Sequence, residues 1–120
     1  MIEYKLQIEP EDSPLWGNLA RTDDVALDTL YENEIMNRIE SGDDWAWCRV
    51  HVTAQIGQSS FLPDIRLTGD AYLGGCTYGN ESQFRESPCF EDMKAEALEN
   101  LLTQLRAASV AYAEISEQIK

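Results

Sequence analysis

Residues 45–75 read WAWCRVHVTAQIGQSSFLPDIRLTGDAYLGG, and this stretch decides the fold. It is the only long segment with strand character and the only one without excess negative charge. Taken as a strand over 45–56, it divides into two faces. Ala46, Cys48, Val50, Val52, Ala54 and Ile56 form an apolar face that reads as core. Trp45, Trp47, Arg49, His51 and Thr53 form the other, a mixture that suits a surface covered by something. Gly57-Gln58-Ser59-Ser60 reads as a hairpin connection. A return strand is expected from Ile65 to Leu73, with Ile65, Leu67, Ala71 and Leu73 in phase and Gly69 interrupting them at a bulge. If the two strands pair, Trp47, Arg49, His51, Arg66 and Tyr72 share the far side of the sheet.

Upstream, Ile2, Tyr4, Leu6 and Ile8 alternate with polar residues, which predicts a half-buried strand over 2–8. EPEDSP at 9–14 ends it, and Leu15 and Trp16 are expected to tuck this loop onto the core. A helix should follow from Val25 to Glu40, capped by Thr22 or Asp23. Leu27, Leu30, Tyr31, Ile35 and Ile39 form its expected apolar stripe. Ser41-Gly42 ends it. Asp24, Asp28 and Glu32, four residues apart, form an acidic row on the expected outer face. Asp43 and Asp44 follow in the turn before Trp45.

Downstream, Gly74-Gly75 breaks the return strand, and one helical turn is expected near 81–85. The last helix begins near Phe90 and runs to Ile119 without Gly or Pro. Leu98, Leu101, Leu105, Ala108, Tyr112, Ile115 and Ile119 step by three and four, a heptad seam. The predicted architecture is therefore α+β, a single domain over 1–120. A three-stranded antiparallel sheet is packed on one face by two helices. The C-terminal helix is long, protruding or dimerising beyond about residue 102.

The chain of 120 residues carries 22 acids against 9 bases, a net charge of −13. Residues 1–44 hold −9 of it and residues 76–120 hold −4. Such a field repels nucleic acid and anionic membrane and favours basic partners. Solubility alone accounts for it equally well. No apolar run approaches the roughly 20 residues that cross a bilayer. MIEYKLQIEPED has neither a basic start nor an apolar signal core, and three cysteines fit a reducing compartment. A cytoplasmic location is expected.

Chemistry is sparsely marked. Cys48, His51, Cys76 and Cys89 lack the close spacing of a zinc site, and no cofactor or metal is expected. Cys76, with His51 as base, is the one candidate nucleophile, but nothing basic surrounds it to lower the thiol pKa. Paired carboxylates at 23–24, 43–44 and 91–92 sit in turns and helix starts, and no catalytic residue is assigned.

EPEDSPLWGN, DDWAWCRVHVTA, YLGGCTYGNESQFR and FEDMKAEALENL, in that order, resemble a family of small acidic uncharacterised proteins of bacteriophages and prophage regions. The resemblance covers about residues 9–102. It carries no activity with it, but it implies a phage context, in which small acidic proteins bind host proteins, including DNA-binding defence systems. The expected function is accordingly a non-enzymatic inhibitor of a host nucleic-acid-handling complex of CRISPR or restriction type, acting on a basic protein or nucleoprotein. Carboxylates along a helix would imitate DNA phosphates. Asp24, Asp28, Glu32, Asp43 and Asp44 would meet basic residues, with Trp45 and Trp47 as apolar anchors. The alternatives are a structural or adaptor homodimer formed through Leu98, Leu101, Leu105, Tyr112, Ile115 and Ile119, and a small cysteine enzyme.

Overall fold

A computed structural model describes residues 2–15, 17–19, 22–57 and 67–119. The chain is α+β. Its elements are β1 (Ile2–Pro10), α1 (Val25–Glu40), β2 (Cys48–Ile56), β3 (Thr68–Cys76), α2 (Glu81–Arg85) and α3 (Pro88–Ile119). The strands form one antiparallel sheet in the order β1-β2-β3. The expected places of Trp16, Ile65 and Arg66, and most of the 57–60 connection, lie outside the described residues.

The chain gathers into two compact units. The first comprises Met1–Leu6, Val52–Ala71 and Glu91–Lys120, the second Gln7–His51 and Tyr72–Phe90. In the first, Val52, Ala54 and Ala71 from the strands and Met93, Ala97 and Leu101 from α3 are all buried. Gly69 does not mark a bulge signal so much as a close approach. A Cβ at that position would overlap the Ala97 carbonyl oxygen and the Leu101 amide nitrogen, so only glycine lets α3 lie this near β3. Asn100 Oδ1 accepts the Asp70 amide at 3.0 Å, and Gln104 Nε2 donates to the Thr68 carbonyl at 2.7 Å. These bonds fix α3 along the strand. Pro88 opens α3 two residues earlier than expected, at a position where its missing N–H costs nothing.

In the second unit Leu15, Ile35, Ala46 and Trp47 form one buried cluster, with Leu19 and Met36 packed against it. Cys48, Val50, Cys76, Phe84 and Phe90 are also buried. The alternation expected to begin at Trp45 begins at Cys48 instead. Asp43 explains the delay. Its carboxylate accepts the Trp45 amide at 3.1 Å and its carbonyl accepts the Ala46 amide at 3.1 Å, which holds 43–46 in a turn. Ala46, Trp47 and Cys48 are consecutively buried as a result, and period two applies only after them.

The roll of α1 is the main departure from expectation. Its buried residues are Asp28, Glu32 and Ile35, while Val25, Leu27, Leu30, Tyr31 and Ile39 are exposed. At 100° per residue this turns the helix roughly a quarter turn from the orientation its apolar stripe predicts. Polar bonds at both ends set the angle. Near the start, Asp28 accepts the Thr22 amide on both carboxylate oxygens at 3.1 Å and the Thr22 hydroxyl at 2.8 Å. Near the end, Arg38 bonds Asp43 at 2.8 Å and donates to the Tyr78 carbonyl. Asp24, rather than Thr22 or Asp23, is the N-cap, accepting the Leu27 amide at 3.1 Å. Gly42, at φ +87°, follows Ser41 in the left-handed conformation.

Candidate functional site

The acidic row of α1 is not an outer face. Asp28 is 8% exposed and Glu32 2% exposed, so neither carboxylate is presented to a partner. Only Asp24 of the three is on the surface, and its side chain caps the helix. Asp43 is half-buried and bound to Arg38, whose hydrogen bond and charge hold its carboxyl below the usual range. Asp44 is exposed.

The tryptophans are corrected likewise. Trp47 is buried, and its indole Nε1 donates to the Ser13 carbonyl at 2.8 Å. Trp45 is half-buried against Tyr78 and Phe84, at ring separations of 6.4 and 5.7 Å. Tyr78 and Phe84 also meet edge-on at 5.0 Å, and Phe84 touches Phe90. Trp47 thus serves the interior of the second unit, and Trp45 packs on its aromatic cluster while remaining half-exposed.

Exposed apolar surface lies on α1. Leu27 is 54%, Leu30 68% and Tyr31 44% exposed. At helical spacing these three share one outward face with Glu34, and Asp23 and Asp24 stand at its N-terminal end. Tyr31 also borders a groove of about 390 Å³ whose other wall is Leu73–Tyr78, the YLGGCTY turn. Gly75 at φ +65° shapes that turn, and its amide donates to Glu11 at 3.0 Å. This bond, with those from Ser13 and the nearby charge of Arg49, holds the Glu11 carboxyl below its ordinary value. A separate cleft of about 350 Å³ is lined by Ile8, Pro10, Ile39 and Trp47, with Glu9, Asp43 and Asp44 among its walls.

The residues expected on the far side of the sheet are partly brought together. His51 and Tyr72 stack at 4.2 Å. Arg49 instead pairs with Glu9 at 2.9 Å and Asp12 at 3.6 Å. Cys48 and Cys76 are placed to be poor nucleophiles. Burial pushes the Cys48 thiol up to about 12 and the Cys76 thiol up to about 11. Cys76 Sγ donates to the Leu73 carbonyl at 3.4 Å. Among the described residues no three His, Cys, Asp or Glu side chains gather as a metal site would require.

Along the α3 seam Leu101 is buried, Leu98 and Leu105 are half-buried, and Ala108, Tyr112, Ile115 and Ile119 are exposed. No described helix is long and apolar enough to cross a membrane. The sequence did not mark Arg38 or Glu11 as organising residues, and it offered Thr22 as a cap rather than as the partner of Asp28. For Arg38 a signal existed: a base within a strongly acidic segment has a carboxylate partner close at hand. The chain matches no family model, no curated protein and no solved structure.

Proposed function

We propose that this chain is a non-enzymatic binding protein of phage type that docks on a basic host protein or nucleoprotein of a nucleic-acid-handling defence system and blocks it. The observation that carries this reading is the outward face of α1, where Leu27, Leu30 and Tyr31 are exposed beside Asp23, Asp24 and Glu34. Apolar side chains of this size, left uncovered and contiguous, mark interaction surfaces. An apolar centre with a charged rim is the usual anatomy of a specific interface. The surrounding charge fits a basic partner. In the second unit Glu9, Asp12, Glu40, Asp44, Glu81 and Glu86 are exposed as well, against one exposed base among its described residues, Arg85. Arg85 is itself paired with Glu81 at 3.2 Å. Imitation of DNA by a row of α1 carboxylates gives way to an apolar helix face with acids around it.

The test is capture of a partner from host lysate by the wild-type chain, repeated with Leu30→Lys plus Glu34→Lys. Both positions are exposed, so the variant keeps its thermal stability. Capture should fall by about tenfold or more, the effect of losing one hot-spot contact. Undiminished capture by a folded variant would sink the α1 reading.

A second reading, the homodimeric adaptor, is favoured by the seam of α3, which continues in phase past Leu105 but is uncovered at Tyr112, Ile115 and Ile119. Light scattering of the whole chain decides it: a dimer supports the reading and a monomer at high concentration ends it.

A further inference from the structure

The cleft in the second unit combines features that neither the sequence nor the α1 surface accounts for. Its described walls are aliphatic and aromatic, from Ile8, Pro10, Ile39 and Trp47, and the charged residues among the described lining are acids: Glu9, Asp43 and Asp44. The three carboxylates are not equivalent. Asp43 is already committed, with Oδ2 on Arg38 at 2.8 Å and Oδ1 on the Trp45 amide at 3.1 Å. Glu9 gives one oxygen to Arg49 at 2.9 Å. Its other oxygen, and both oxygens of Asp44, accept no bond from the described residues.

We propose that this cleft receives one arginine side chain of the basic partner. The inference rests on the partner being basic and assigns where one of its cations goes. The aliphatic stem of arginine suits the Ile8, Pro10 and Ile39 walls, because such stems bury readily while the charged head stays at a polar edge. The guanidinium then meets the unused oxygens of Asp44 and Glu9 at the edge of the cleft. Charge complementarity favours a cation over an apolar side chain of equal length: Arg38 and Arg49 pair with Asp43 and Glu9, but no base is among the described lining residues, Asp44 is left without a cation, and the chain carries −13. A volume of about 350 Å³ lies at the small end of ligand sites and fits a single side chain.

The probe is N-acetyl-arginine N-methylamide, titrated into the whole chain by NMR. The signals followed are the Trp47 indole N–H and the methyl groups of Ile8 and Ile39. Saturable shifts confined to these groups are expected. Asp44→Asn should weaken binding about fivefold, the order of one exposed ion pair, while Glu86→Gln leaves it unchanged. The norleucine analogue should produce no saturable shift and the lysine analogue a weaker one. The proposal is overturned by shifts spread over all exposed carboxylates, by wild-type binding in Asp44→Asn, or by norleucine or lysine binding as tightly as arginine. The titration needs no partner, so its failure leaves docking through α1 standing. Conversely, failure of the α1 variants to weaken capture leaves the titration result untouched.

Discussion

Asp28 looks on paper like one charge in a row of three, yet it accepts three hydrogen bonds from Thr22. Removing it leaves the Thr22 amide without its acceptor and the Thr22 hydroxyl with only the longer bond to the Asp24 carbonyl at 3.4 Å. Asp28→Ala should therefore lower unfolding stability by about 2 kcal/mol, against less than about 0.5 kcal/mol for Glu81→Ala on the surface. Urea denaturation of the two variants checks this, and equal midpoints would mean that Thr22 is held by something else. Gly69 is the apolar counterpart. Its substitution by alanine drives a methyl group into the backbone of α3, and a loss of about 2 kcal/mol is expected in the same measurement. Neither role was legible in the sequence. An Asp at helical spacing and a Gly in a strand each have a bland local explanation, and the partner that decides between readings lies 6 residues away for Asp28 and nearly 30 for Gly69.

At the scale of elements, existence and type were legible and orientation was not. β1, α1, β2 and α3 follow from alternation, capping signals and an uninterrupted run of good helix formers. The face that β2 buries also followed, with Cys48, Val50, Val52 and Ala54 all buried, whereas in β1 Ile2, Leu6 and Ile8 are only half-buried and Tyr4 of the same face is exposed. For α1 the hydrophobic pattern pointed to one azimuth and the hydrogen bonds of Asp28 and Arg38 hold another. The apolar stripe gives a broad preference, whereas a buried carboxylate must find donors. That same difference creates the candidate site, because it turns Leu27, Leu30 and Tyr31 outward. In α3 the two ends differ in role. Residues 106–115 are exposed throughout, whereas Gln104, just before them, donates to the Thr68 carbonyl of the strand. Truncation after Arg106 should change the unfolding midpoint of the isolated chain by no more than about 1 kcal/mol in equivalent stability. A large loss in a concentration-dependent melt would instead show that the removed seam is covered by a second copy.

Across the whole molecule, titration limits stability on both flanks of pH. Glu11 and Asp43 have lowered carboxyl pKa values in the fold, chiefly from the Gly75 amide and from Arg38 respectively. Their stabilising effect is present above the ordinary carboxylate range and is lost as pH falls through the lowered values. Cys48 and Cys76 act in the opposite sense. Their raised values favour the neutral thiol in the fold, an effect fully present below the ordinary thiol value and lost as pH rises towards about 12 for Cys48 and about 11 for Cys76. Thermal melts from pH 3 to pH 11 should show both declines, with Glu11→Gln flattening the acid side and Cys48→Ala the alkaline side. An unchanged alkaline limb in Cys48→Ala would place that decline elsewhere.

The outward acids of the second unit have one more consequence. Like charges crowded on a folded chain repel one another more than they do along an extended one, so dissolved electrolyte should firm the fold by screening them. The same screening would weaken attraction to the basic partner we propose. On that reading ionic strength pulls the protein in two directions: the conditions that best preserve the chain in isolation are those in which it would hold such a partner least.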